Sequence, residues 1–445
     1  MSRQAILLFA TQMVVAIANL PVTIVLARAL GPSGLGTYQL YNRIALVTIA
    51  VACLGYPHAI AWASGSASTA GQRGAVLRVV YRSTALSAIF VIATYGLLGL
   101  IPSEITGTTN WYLFGVFAIL NIFAANLSNY FRGFLDITGM AFCRISQAVS
   151  WLVLSVVLAV TQSLSITTAA CALLASQTIA IGLSFVRLGV SGTLRISIEP
   201  ISRKEISSFS RRVFPGLLVR EWSSHLDQLV IGFVLSTYAL GIYTVAASLT
   251  LALALLTGPI VNTAQPIVQA TSTADRSNVV TKFYAATILV IGTPSVIVAA
   301  LAYVLVPMIY GSSFTGSVQL AQILCISAFF SAIAACGQGI LVGAGYPGSG
   351  SIGTAIGFAT TCGLWILLIP HYALVGVAWS SAIGMGVSAC FTFSVVAKRV
   401  DVKFLALAVG VIKDASSVVR DILISPKSLL HDLGLSRKNS GDDEL

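Results

Sequence analysis

Four ionisable side chains, Arg220, Glu221, His225 and Asp227, stand inside one apolar stretch, VFPGLLVREWSSHLDQLVIGFVL (Val213–Leu235). The stretch is long enough to cross a bilayer, for which roughly 20 residues suffice. Charge at the centre of a membrane helix costs at least ~2.5 kcal/mol per residue, so such groups turn toward protein or a wet cavity. At about 100° per residue, Arg220, Glu221, Ser223, Ser224, His225, Asp227 and Gln228 fill one continuous arc, and Trp222, Leu226, Leu229, Val230 and Phe233 fill the other. The arginine suits an anionic group, and Glu221, His225 and Asp227 suit a coupling proton or Na⁺. The competing reading is a self-satisfying network, with Arg220 and Asp227 joined through a serine and Glu221 paired with His225 at i,i+4.

The elements that position these groups follow from composition. The chain of 445 residues is 57% hydrophobic and 9% charged, against about 25% charged in soluble proteins. Its apolar residues come in blocks of span length, which predicts an all-α polytopic membrane protein. The seven cysteines fall mostly in apolar blocks without CxxC spacing and read as small core residues. The run after Arg3 is longer than a signal-peptide core and reads as an uncleaved first span. There is no GxxxxGK[ST], HExxH or GxSxG pattern and no metal-spaced Cys/His cluster. The expectation is therefore a protein that is not an enzyme and carries no cofactor or bound metal beyond a coupling H⁺ or Na⁺.

Twelve spans are expected, near 6–29, 37–62, 79–101, 111–131, 144–162, 167–189, 213–235, 239–262, 283–308, 317–342, 351–369 and 373–396. With the N-terminus inside, all but Arg28, Arg43 and Arg220 of the 25 basic residues fall in inside segments. This predicts a plasma or inner membrane protein with both termini cytoplasmic. It also accounts for the net charge of +11 without nucleic acid. Arg28 sits at the outer end of span one, where it can snorkel or face a cavity, and Arg43 sits deeper, in span two. A polar, basic stretch divides the chain. The expected organisation is residues 1–195 as one six-helix lobe, 196–212 as a cytoplasmic linker, 213–400 as a second lobe and 401–445 as a cytoplasmic or interfacial tail.

The two halves echo one another. LGPSGLGTY (Leu30–Tyr38) matches LSTYALGIY (Leu235–Tyr243) at an offset of 205, and RGFLDITGM (Arg132–Met140) matches QGILVGAGY (Gln338–Tyr346) at an offset of 206. Duplicated lobes place a binding site at their interface, near the membrane midplane.

Several stretches carry a family resemblance: LARALGPSGLGTYQL (Leu26–Leu40), LDQLVIGFVLSTYALGIYTVAASL (Leu226–Leu249), VPMIYGSSFTGSVQLAQIL (Val306–Leu324), GILVGAGYPGSGSIGTAIG (Gly339–Gly357) and IPHYALVGVAWSSAIG (Ile369–Gly384). The chain resembles the polysaccharide-transport branch of the multidrug/oligosaccharidyl-lipid/polysaccharide (MOP) exporter superfamily, the O-antigen and exopolysaccharide repeat-unit flippases. The resemblance implies two pseudo-symmetric six-helix lobes around a central cavity. It also implies a polyprenyl-diphosphate-linked oligosaccharide moved from the inner to the outer leaflet, with membrane lipids and other polysaccharide assembly proteins as partners. Arg43, Arg220 and Arg28 are then candidates for the diphosphate. Tyr41, Asn42, Ser224 and Gln228 are candidates for the sugars, with Tyr38, Trp62 and Tyr243 behind them. Glu221, His225 and Asp227 are candidates for ion coupling. Two alternatives stay open, a cation-coupled multidrug exporter and a non-transporting membrane component of polysaccharide synthesis. Drug-exporting relatives often carry an acid in span one, and here there is none.

Overall fold

A computed structural model describes residues 3–67, 69–99, 111–190, 202–272 and 275–400, and no strand occurs among them. The tail after Val400, residues 191–195 at the end of the expected first lobe and residues 196–201 of the expected linker lie outside the described residues. The helices are α1 (Arg3–Ala52), α2 (Tyr56–Ser66), α3 (Ala70–Leu98), α4 (Tyr112–Gly133), α5 (Ile137–Val160), α6 (Ile166–Val190), α7 (Arg203–Ser223), α8 (Leu226–Val230), α9 (Thr237–Ala270), α10 (Arg276–Thr287), α11 (Thr293–Tyr310), α12 (Ser317–Gly343) and α13 (Pro347–Val400). One π-helical turn, Ile231–Leu235, follows α8, and another, Ile288–Gly292, joins α10 to α11.

Nine of the described helices are long and apolar enough to cross a membrane. Two of these are double. At 1.5 Å per residue the 50 residues of α1 would run about 75 Å, more than twice a hydrocarbon core. Gly31, at φ 66° and ψ −178°, breaks α1, and Pro32 opens its second segment, a left-handed φ that glycine adopts without a Cβ penalty. Ala373, at φ 46°, breaks α13 in the same way. Counting α1 and α13 twice and adding the α7–α8–π run gives twelve crossings, an all-α polytopic membrane protein. Large apolar side chains such as Leu86, Ile89, Val153, Val160, Tyr303, Met308 and Ile366 are exposed on these helices, a surface that suits acyl chains rather than water.

The contacts group the chain into two units, Met1–Thr244 and Val245–Leu445. The first is centred on Ile60, Val80, Leu127, Tyr130 and Leu188 from α2, α3, α4 and α6. The second is centred on Ala264, Phe283, Tyr284, Cys336, Ile340 and Val396 from α9, α10, α12 and α13. Small residues line the seams of the second unit. A Cβ on Gly357 would press on the Gly384 carbonyl and Ser388, and one on Gly376 on the Leu368 carbonyl, the close backbone approach typical of membrane helices.

The first sequence echo marks a reciprocal crossing inside the first unit. A Cβ built on Gly36 would overlap the Thr237 carbonyl, and one built on Gly241 would overlap the Pro32 carbonyl. Pro32 and Thr237, like Gly36 and Gly241, are 205 residues apart. The second segment of α1 and the first turns of α9 therefore touch by the same pair of positions from both sides. The second echo needs correcting. Gly133 presses on the Ala61 carbonyl and Ser64, and Gly343 on the Gln265 carbonyl and Val268. Left-handed residues follow at Leu135 (φ 57°) and Gly345 (φ 90°). Gly133 corresponds to Gly343, an offset of 210 rather than 206. The echo is one helical turn out of register, because it matches Gly133 to Gly339 across an insertion of about one turn.

Two span boundaries also differ from expectation. Span two is not one helix over 37–62. It starts at Pro32, stops at Ala52, turns through Leu54 (φ 46°) and Gly55 (φ 79°), and resumes as α2. Residues 203–212, expected in the linker, form the first turns of α7, which pack on this break. Ser210 Oγ donates to the Leu54 carbonyl, a Cβ on Gly55 would press on the Ser210 carbonyl, and Phe209 stacks on Trp62 at 5.1 Å.

Gly241→Ala should lower the thermal midpoint of the purified protein in detergent by several degrees, since a methyl group there displaces backbone and overpacking costs about 1–3 kcal/mol. Gly258, in the same helix α9, has nothing within 4 Å of an added methyl, so Gly258→Ala should hold or raise the midpoint. Equal effects of the two variants in differential scanning fluorimetry would remove the crossing from its structural role.

Candidate functional site

The polar arc expected on span seven does not exist as one helical face. Helix α7 ends at Ser223, residues 224–225 form a turn, and α8 restarts at Leu226. Ser224 N–H donates to the Glu221 carbonyl and His225 N–H to the Trp222 carbonyl, the tightened i→i+3 closure of a helix end. His225 sits at φ −130°. Two consecutive serines, which compete for backbone hydrogen bonds, account for the break. Arg220 and Glu221 thus ride on α7, while Asp227 and Gln228 ride on α8.

The break points α8 at Arg43. This residue lies in the second segment of α1, 11 residues past Pro32, or about 16 Å along the helix. Arg43 Nε donates to Gln228 Oε1 at 2.7 Å, and Nη1 lies 3.3 Å from His225 Nδ1. A guanidinium has only donors, so Nδ1 is the acceptor and the imidazole is neutral with its proton on Nε2. Asp227 is hydrogen-bonded separately. Its Oδ2 accepts from Tyr243 Oη at 2.8 Å and its Oδ1 from the Gln228 backbone N–H at 2.7 Å. Arg43 and Asp227 do not pair directly, although their charges interact. Arg43 Nη2 has no protein partner among the described residues. The cluster is a half-used guanidinium held in place by an amide and an imidazole, beside a carboxylate whose two oxygens are already occupied. Such a fork can take a phosphate oxygen pair.

The structure thus gathers Arg43, His225, Asp227 and Gln228 and adds Tyr243 from α9. Gln228, expected to serve sugars, instead orients the arginine. Tyr243 was visible as half of the Leu-Gly-x-Tyr echo, but nothing in the sequence announced its hydroxyl as the partner of Asp227. The Tyr41 side chain is buried, with its ring 5.6 Å from Phe114 of α4. Asn42 is half-buried and makes no hydrogen bond among the described residues. Ser224 is exposed in the turn. Arg28 is exposed on the first segment of α1. Glu221, on α7, interacts electrostatically with His225 and with Cys53 at the break in span two. The Arg220 side chain lies outside the described residues. Tyr38, the repeat partner of Tyr243, packs against Phe114 and Trp151, with centroids at 5.5 and 6.4 Å. A further residue of this region, Gln39, was not singled out by sequence. Its buried Oε1 accepts no hydrogen bond.

No group of three or more potential metal ligands occurs among the described residues. No curated protein sequence matches the chain. Among solved structures, the chain is similar to an inward-facing multidrug resistance MATE family transporter of the MOP superfamily. The two are 20% identical over 91% of this chain and 99% of that one, at a TM-score of 0.68. It is also similar to the MATE multidrug transporter DinF-BH (18% identity, 89% and 95% covered, TM-score 0.64). An outward-facing member of the same superfamily matches at 17% identity, with 90% and 95% covered and a TM-score of 0.60. At these identities the likeness is one of fold. The sequence profile of the family described as "Polysaccharide biosynthesis protein" matches residues 25–319, about two thirds of the chain. The chain is a multi-pass membrane protein with the fold of the MOP superfamily and belongs to the polysaccharide biosynthesis protein family.

Proposed function

We propose that this protein is a flippase that moves a polyprenyl-diphosphate-linked oligosaccharide repeat unit from the inner to the outer leaflet for surface polysaccharide assembly. The observation that carries the reading is the Arg43 cluster. A cation is held part-way along a membrane-crossing helix with donors to spare, and the adjacent carboxylate is hydrogen-bonded by a tyrosine and a backbone amide rather than by that cation. Membership of the polysaccharide biosynthesis family supports the same reading. Hydrogen bonds to charged groups contribute about 1.5–3 kcal/mol each, enough for one arginine to set affinity for a diphosphate.

In this reading two six-span lobes, 1–195 and 213–400, rock about the site by alternating access, with both termini in the cytoplasm. Arg43 takes the diphosphate, and Arg220 and Arg28 supply further positive charge along the route. Tyr41, Asn42 and Ser224 face the sugars in another conformation. The lipid tail stays in the bilayer. His225 is the coupling group. Arg43 and Glu221 are the charged groups that face it, with Asp227 two residues on. A proton on Nδ1 would break its contact with Arg43 and free the guanidinium fork for cargo. Other polysaccharide assembly proteins would supply the cargo and receive it.

Deletion of the gene should leave polyprenyl-linked repeat units on the inner leaflet and remove surface polymer, read by mass spectrometry of lipid extracts. Intact polymer with new sensitivity to cationic dyes would point to drug export instead. Complementation with Arg43→Ala should fall at least ~10-fold, the loss of about 1.4 kcal/mol or more. Arg43→Lys should recover only part, because an ammonium lacks the planar fork. Normal polymer from an Arg43→Ala variant at parental expression would remove Arg43 from the site. Asp227→Asn keeps the shape but not the charge. It should slow transport or change its dependence on pH and Na⁺, and an unchanged profile would exclude Asp227 from coupling.

A further inference from the structure

A second polar concavity lies in the first unit, away from the Arg43 cluster, and its residues take no part in that cluster. It has a volume of about 240 Å³ and lies among α4, α5 and α6, far above the ~10–15 Å³ that a single water requires. Its lining is polar in an apolar bundle. Asn121, Asn129 and Arg132 come from α4, Arg144 and Gln147 from α5, and Gln177 from α6. The spacing is helical. Asn121, Ala125, Ser128 and Arg132 lie on one face of α4, and Met140, Cys143, Arg144 and Gln147 on one face of α5. Asn121 and Arg132 are 11 residues apart, so the pocket runs about 16 Å into the bundle.

Two features ask for a ligand. Arg132 and Arg144 feel each other's charge, and neither guanidinium makes an ion pair or a hydrogen bond with protein among the described residues. Like charges brought together in a membrane protein are costly unless an anion joins them. Gln177, which lines the pocket, is only 3% exposed, and its side-chain amide makes no hydrogen bond among the described residues. Buried amides are nearly always paired, and one left open to a cavity marks a missing partner. The nearby α4–α5 turn also has Arg73 and Arg187 against it. Arg187 is already committed to Asp136 at 3.3 Å, and Arg73 stands over the Phe134 ring at 5.0 Å. Arg132 and Arg144 are the cations that line the pocket itself.

We propose that this pocket binds a phosphate or diphosphate group, clamped by Arg132 and Arg144 and received by the Gln177 amide. The group would come from a lipid headgroup or from a soluble phosphate compound. It is a site separate from Arg43 and does not depend on the flippase reading.

The test uses the full chain purified in detergent, with phosphatidylglycerol, phosphatidylcholine or pyrophosphate as probe. Native mass spectrometry should show phosphatidylglycerol retained at least ~10-fold more than phosphatidylcholine, a difference of about 1.4 kcal/mol, and pyrophosphate should displace it. The double variant Arg132→Gln/Arg144→Gln should lose that retention. Gln177→Leu, which leaves net charge unchanged, should lower it several-fold. Pyrophosphate binding without lipid retention would assign the site to a soluble phosphate. Equal retention of the two lipids together with no pyrophosphate binding would overturn the proposal. So would a Gln177→Leu variant that binds like the parent, since diffuse attraction to the basic residues would then suffice. If the double variant is not monodisperse, the lipid and pyrophosphate competition on the parent chain decides.

Discussion

The crossing of the second α1 segment with α9 is the constraint on which the Arg43 cluster depends. Two backbones meet at Gly36 against Thr237 and at Gly241 against Pro32, with no room for a Cβ at either glycine. Contact by backbone fixes axial register more tightly than interleaved long side chains, because it cannot be accommodated by a change of rotamer. Seven residues beyond Gly36 lies Arg43, and two beyond Gly241 lies Tyr243. The stretch of chain that leads into α9 is short, a π turn and the extended Ser236, so α8 is carried with it. Asp227 and Gln228 are thereby delivered between Tyr243 and Arg43.

Polarity at this depth is tolerated because the groups answer one another. Asp227 would be expensive in an apolar bundle if its oxygens were open, and both are occupied. Removing either donor exposes a buried acceptor, which costs more than the hydrogen bond itself contributes. The break at Ser224 and His225 belongs to the same account. A continuous helix would carry Gln228 on the same rigid rod as Arg220. The turn lets α8 set its own orientation toward Arg43, and its backbone N–H groups at Ser224 and His225 are satisfied by the Glu221 and Trp222 carbonyls.

The sequence made the fold class plain because a bilayer constrains it so strongly. Blocks of about 20 apolar residues, with cations outside them, leave few architectures open. The breaks inside blocks were less visible. Gly31 and Pro32 declared themselves, but Leu54, Leu135 and Ala373 take left-handed φ values with no glycine to signal it. The repeat was legible where it fixed a backbone contact, at Gly36 and Gly241, and misread by one turn at Gly133, where the matched residues were common ones. At the site, the sequence put charge in the right span but assumed a continuous helix. Periodicity carries no information across a turn, so it grouped Arg220 with Asp227 and could not show that Arg43, far away in the chain, meets Gln228 and His225.

Which ligand atoms the cluster can meet depends on its open donors and acceptors as well as on its charge. Arg43, Asp227 and Glu221 together are not positive, and the hydrogen bonds leave that charge as it is. The Asp227 oxygens are filled by Tyr243 and by the backbone, and Gln228 turns its acceptor to Arg43 and so keeps its amide hydrogens available. His225 also spends its acceptor on Arg43. What remains open around Arg43 is guanidinium N–H and the Gln228 amide N–H, both donors. In the flippase reading proposed for this protein, a phosphate oxygen is the acceptor of high charge density that such donors would meet. Glu221 stands on the far side of the break, on α7. It interacts electrostatically with His225 across that break.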